Sequence, residues 1–120
     1  MSLEEQILEV ELEQWKILSS DDGAAFYRDR LLKDALMAVP APHGIMDRDT
    51  VVSEVTGAPP IVEYELFDPK VVLLTPDSGV IVYSMWQRRK GQEGFKAAIS
   101  SVYTVQDGEL YMAYHQQTRL

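Results

Sequence analysis

The final third of the chain constrains its fold more than any other stretch. Ser100-Ser101-Val102-Tyr103 leads into Asp107-Gly108, then into the largely apolar run Leu110 to Tyr114, and ends in His115-Gln116-Gln117-Thr118. Asp-Gly between two such runs marks a tight hairpin turn, because its central residues must adopt positive φ. Period-two alternation continues back to Ile61 and predicts strands over 61–75, 79–89, 94–106 and 109–118. Their breaks fall at Pro76-Asp77-Ser78-Gly79, Lys90-Gly91-Gln92 and Asp107-Gly108, and Asp68-Pro69 is expected to bend the first strand. This half of the chain reads as one antiparallel meander.

The first half has a helical period instead. Ser2 with Glu5 three residues on is a capping box, and Leu8, Leu12, Trp15 and Leu18 recur as one apolar stripe over an expected helix at 3–19. Ser19-Ser20-Asp21-Asp22-Gly23 breaks it, and a second helix is predicted over 23–31 with Phe26 and Leu31 facing inward. A short strand at 35–39 ends at Pro40-Ala41-Pro42-His43-Gly44 and turns back into Ile45-Met46. Asp47 or Asp49 then caps a third helix through Val51, Val52 and Val55, which stops at Gly57 ahead of Pro59-Pro60. Helix, helix, hairpin, helix and meander make a single α+β domain over 1–120, with the helices packed on one face of a curved sheet.

Charge narrows the partners. A formal net charge of -8 opposes binding to a phosphate backbone, which needs a dense basic face, so no nucleic acid is expected. Glu4, Glu5, Glu9, Glu11 and Glu13 are assigned to the solvent side of the first helix. The absence of cysteine excludes disulfides and thiolate chemistry. The acidic start lacks the basic and apolar segments of a secretory signal, and no run is long enough for a membrane span, so a cytoplasmic location without membrane attachment is the expectation.

Both faces of the strand at 79–89 are apolar: Ile81, Tyr83 and Met85 on one, Val80, Val82 and Trp86 on the other. In the last strand Leu110, Met112 and Tyr114 point one way, Tyr111 and Ala113 the other. An antiparallel sheet with one wet face should alternate apolar with polar. Three helices cover only the concave side, so the convex side is expected to meet a second copy in a homodimer, with Trp86 as candidate anchor.

The ordered set of motifs resembles the NTF2-like superfamily, and within it the SnoaL-like/DUF4440 group. It comprises Trp15 ahead of Ser-Ser-Asp-Asp, Asp47-Arg48-Asp49, Val80-Ile81-Val82-Tyr83, Ser100-Ser101-Val102-Tyr103, Asp107-Gly108 and His115-Gln116-Gln117-Thr118. The resemblance implies a cone-shaped α+β fold, a homodimer, and a cavity between the helices and the concave sheet. Fold alone does not select a reaction. A ketosteroid-isomerase-like mechanism would need a carboxylate base on the first strand and an oxyanion-stabilising pair; the positions resembling them hold Val39, Gln14 or Trp15, and Ser101.

With Tyr83 pointing into the cone, alternation places Ser101 and Tyr103 beside it, and His115 and Gln117 join from the last strand. A one-residue slip would exchange His115 for Gln116. Trp15, Met37, Val39 and Met85 supply an apolar floor, so Trp15, Tyr83, Met85, Ser101, Tyr103, His115 and Gln117 are the candidate contacts for a small, largely apolar organic ligand. The alternatives are an isomerase, dehydratase or cyclase using His115 with Tyr83 or Tyr103, and a non-catalytic dimerisation module. His43 and His115 are far apart in sequence without metal-ligand spacing, so neither a metal nor another cofactor is expected.

Overall fold

Ser2 opens the first helix, α1 (Leu3–Ile17), as a capping box: its Oγ accepts from the Glu5 backbone N–H at 3.1 Å and donates to the Glu5 carboxylate at 3.0 Å. A computed structural model describes residues 1–120, and after α1 come α2 (Gly23–Arg30), β1 (Leu31–Val39), β2 (Gly44–Asp47) and α3 (Arg48–Thr56). The meander follows as β3 (Ile61–Thr75), β4 (Ser78–Arg89), β5 (Phe95–Gln106) and β6 (Glu109–Arg119). Asp47, not Asp49, caps α3, its Oδ1 accepting from the Thr50 N–H at 2.9 Å. No helix is long and apolar enough to cross a membrane.

The six strands form one sheet in the order β2-β1-β6-β5-β4-β3. All neighbours are antiparallel except β1 and β6, which run parallel. β1 starts at Leu31, earlier than the expected 35, because Leu31 pairs with Met112 before the register shifts and resumes at Leu36 opposite Tyr114. Asp107 and Gly108 take φ of 53° and 80°, the turn their sequence demands. At Asp68, φ is 50° and the β3–β4 ladder shifts between Phe67 and Lys70, so the expected bend is a bulge.

A second bulge overturns one expectation. Val102 faces Tyr114 and Tyr103 faces Met112, which leaves Ala113 as an extra residue in β6. The alternation therefore reverses: Leu110 and Met112 point inward, the next inward residue is His115, and Tyr114 is on the outer face. Without that extra residue, Gln116 would take the interior position.

The inward stripe of α1 also differs from the one expected. Ile7, Val10, Glu11, Gln14 and Trp15 are buried, whereas Leu12 is 43% exposed and Leu8 only half-buried. Glu11 is thus not part of the solvent face; its carboxylate lies at the centre of the cone, completely enclosed. The hydroxyl donors facing it from the sheet supply the reason, as described below.

Trp86 is half-buried because its indole lies against Gly94 of the β4–β5 hairpin. A Cβ at position 94 would overlap that ring. Gly94→Ala is expected to destabilise the domain by about 1–3 kcal/mol through overpacking, read from urea denaturation; an unchanged midpoint would show that the ring moves aside freely.

Candidate functional site

Strand pleat and helical pitch bring one polar cluster together inside the cone. Glu11 and Trp15 lie one turn apart on α1. Tyr83 comes from β4, Ser101 and Tyr103 from alternate positions of β5, and His115 and Gln117 from alternate positions of β6. Ser101 and His115 are direct cross-strand partners. The interior therefore receives its polar atoms from one helix and three adjacent strands.

Glu11 is the hub. Its Oε1 accepts from the Tyr103 hydroxyl at 2.6 Å, and its Oε2 accepts from the Tyr83 hydroxyl at 2.6 Å and from Ser101 Oγ at 2.8 Å. Tyr83 in turn accepts from Trp15 Nε1 at 2.6 Å. Three O–H donors converging on two oxygens is the coordination of a carboxylate. Burial pushes the Glu11 carboxyl above its ordinary range, and hydrogen bonds from Tyr103, Tyr83 and Ser101 offset only part of that rise. Burial and the neighbouring Glu11 charge raise both tyrosines far beyond the range where a phenol ionises, so they remain donors.

The single Ser101 proton goes to Glu11, which fixes the next link. Ser101 Oγ lies 2.7 Å from His115 Nδ1, so Nδ1 carries the imidazole proton and donates to Ser101. His115 Nε2 is then an acceptor, and Gln117 Nε2 lies 3.1 Å from it; Gln117 Oε1 in turn accepts from Gln87 Nε2 at 3.4 Å. From Gln87 through Gln117, His115 and Ser101 to Glu11, every hydrogen bond points the same way. His115 has no bond to Tyr83 or Tyr103, and burial lowers its pKa from 6.5 to about 4, which keeps the ring neutral. Its ring centroid lies 6.0 Å from that of Trp15.

The candidate contacts named from sequence are therefore assembled: Trp15, Tyr83, Met85, Ser101, Tyr103 and His115 are buried together, with Gln117 half-buried beside them. They meet one another. Met37 is 5% exposed and Met85 and Trp15 fully enclosed, so side chains occupy the middle of the cone. A cavity of about 410 Å³ lies elsewhere, between α1, α2 and the start of β6.

Glu11 and Gln87 escaped the sequence reading. Glu11 could have been found by counting donors: Trp15, Tyr83, Ser101 and Tyr103 all send N–H or O–H groups inward, and a buried acceptor must answer them. Gln14, also buried on α1, accepts from the Tyr27 hydroxyl at 2.7 Å, while its amide nitrogen has no partner.

No protein-family model matches the sequence, and no curated protein does. Solved structures do match. An NTF2-like protein from Cytophaga hutchinsonii superposes with a TM-score of 0.87 at 14% identity, over 100% of both chains. A proposed ketosteroid isomerase from Parabacteroides distasonis gives 0.80 at 15% identity, over 99% of this chain and 89% of that one. The association domain of C. elegans CaMKII gives 0.77 at 13% identity, over 95% and 93%. The fold is NTF2-like.

Glu11→Leu leaves three buried hydroxyls without an acceptor and is expected to cost roughly 3 kcal/mol of stability, measured by chemical denaturation. Unchanged stability would remove Glu11 from its central place. Acidification gives an independent check. His115 binds its proton less readily in the native state, so its contribution is complete above pH 6.5 and is lost as pH falls towards about 4, an effect of about 3 kcal/mol. Glu11 has the opposite sign: its raised pKa makes ionisation costly as pH rises above 4.5, so acid favours the native state at this group. His115→Gln removes the first effect and keeps the second, so the variant should lose less stability than the parent over that window. Equal losses would mean that His115 is not buried and neutral.

Proposed function

We propose that this NTF2-like fold serves self-association, with two copies joining through the outer faces of their sheets. One observation carries the reading. Leu36 pairs with Tyr114, Tyr114 with Val102, Val102 with Val80 and Val80 with Val72, so a continuous apolar row crosses five adjacent strands on the side away from the buried core. Val72 is 57% exposed and Leu36 46%, and Val82, one row away, is 47% exposed. A two-fold axis would lay this row on its own copy and cover both. One structural relative is itself an association domain. Trp86, the anchor expected from sequence, belongs at the margin of such an interface, because its indole is already laid on Gly94.

The cone interior favours this reading over a bound apolar ligand. The polar cluster around Glu11 is bonded within itself and the apolar side chains are enclosed, so a ligand would have to displace Trp15 or Met85 to enter. An isomerase, dehydratase or cyclase using His115 with Tyr83 or Tyr103 would need His115 free to exchange protons with a substrate. Its two nitrogens are engaged by Ser101 and Gln117.

Sedimentation equilibrium tests the proposal. The parent chain is expected to be dimeric, and Val80→Glu combined with Val102→Glu to be monomeric with its circular dichroism retained, since neither side chain is fully buried. A monomeric parent, or a doubly substituted dimer, would overturn it.

A further inference from the structure

The cavity of about 410 Å³ has a chemistry of its own. Ile17 of α1, Phe26 of α2 and Leu110 of β6 make its apolar floor, and Ala25, exposed and small, leaves it open. Glu13, Asp22, Asp29 and Glu109 stand around it with a single guanidinium, that of Arg30. Arg30 donates to the Leu110 carbonyl at 3.2 Å, which commits it to holding the strand start against α2. The four carboxylates are spread along the lining: no three acidic or histidine side chains anywhere in the chain converge as ligands for a metal ion. A compact dication would be matched by convergent carboxylates; carboxylates dispersed around an apolar floor match cations separated by hydrocarbon.

We propose that this groove binds linear alkyl polyamines, whose methylene chain lies on Ile17, Phe26 and Leu110 while their ammonium groups pair with the surrounding carboxylates. The volume is within the range of small-molecule sites. Dispersed charge supplies orientation, and the floor supplies discrimination against simple cations. Neither the outer sheet face nor the polar cluster of the cone takes part, so the inference stands apart from self-association.

Spermidine is the probe, titrated into the full chain by calorimetry and followed by amide chemical-shift mapping. Shifts confined to α2, the end of α1 and the start of β6 are expected, with affinity falling as salt is raised. Ala25→Phe fills the groove from an exposed position and should weaken binding about tenfold, and Asp29→Asn with Glu109→Gln should do the same. Magnesium at equal charge concentration should not displace the triamine. Absence of binding, shifts spread over the exposed glutamates of α1, parent-level affinity in both variants, or full displacement by magnesium would each overturn the proposal.

Discussion

The structure turns on one buried carboxylate. Glu11 is the only acidic side chain that the fold encloses completely, and three hydroxyl groups from β4 and β5 close on its two oxygens. An isolated carboxylate in such surroundings would cost several kcal/mol of lost solvation, so it persists there only because its lone pairs are filled. The same bonds bind α1 to the sheet. Hydrophobic contact between a helix and a sheet tolerates sliding and rotation, whereas three directional bonds to one side chain accept a single helix position. The rotation they select is the one that buries Gln14 and leaves Leu12 exposed, an outcome that apolar area alone would not favour.

That conflict explains which parts of the fold were legible in the sequence. Turns and caps depend on a few neighbouring residues, so Ser2, Asp47 and Asp107-Gly108 could be read locally, and the limits of the four meander strands followed within a residue, whereas the start of β1 did not. The inward face of α1 depends instead on what the meander presents some seventy to ninety residues later, as the sequence separations of the Tyr83, Ser101 and Tyr103 bonds show. Apolar periodicity chose the stripe through Leu8 and Leu12. The bulge at Ala113 is hidden for a similar reason. Leu110, Met112 and Tyr114 alternate cleanly by type, and only the pairing with β5 reveals that the alternation breaks between them. The interior place of His115 is legible all the same, because Ser101, its cross-strand partner, and Tyr103 share one face of β5.

The two faces of the sheet differ in what covers their side chains. Inside, polar side chains bond to one another, the Gln14 amide nitrogen excepted, and apolar side chains fill what remains. Outside, the cross-strand row from Leu36 to Val72 presents hydrocarbon where a sheet with one wet face would present polar side chains. Apolar residues on both faces of β4 are therefore not redundant. Ile81, Tyr83 and Met85 are spent on the core, and Val80 and Val82 lie on the face that the proposed association would cover. The edge strand β3 adds a further constraint. Its bulge at Asp68 and Pro69, with Lys70 beside it, interrupts the free ladder edge and disfavours edge-to-edge growth, which leaves the face as the more suitable surface for a closed pair.

The direction of the hydrogen-bond chain ties these levels together. Each of its middle members has one proton to give and one acceptor to fill: Ser101 gives to Glu11 and receives from His115, and His115 receives from Gln117. No link can reverse alone. Protonating Glu11 on Oε2 would turn the Ser101 hydroxyl towards Nδ1, move the imidazole proton to Nε2 and require the Gln117 amide to rotate. Protonation of Glu11 thus reorganises three neighbours together, Ser101, His115 and Gln117. The neutral His115 and the triply bonded Glu11 carboxyl are therefore two ends of one arrangement, and no smaller rearrangement of it satisfies every atom.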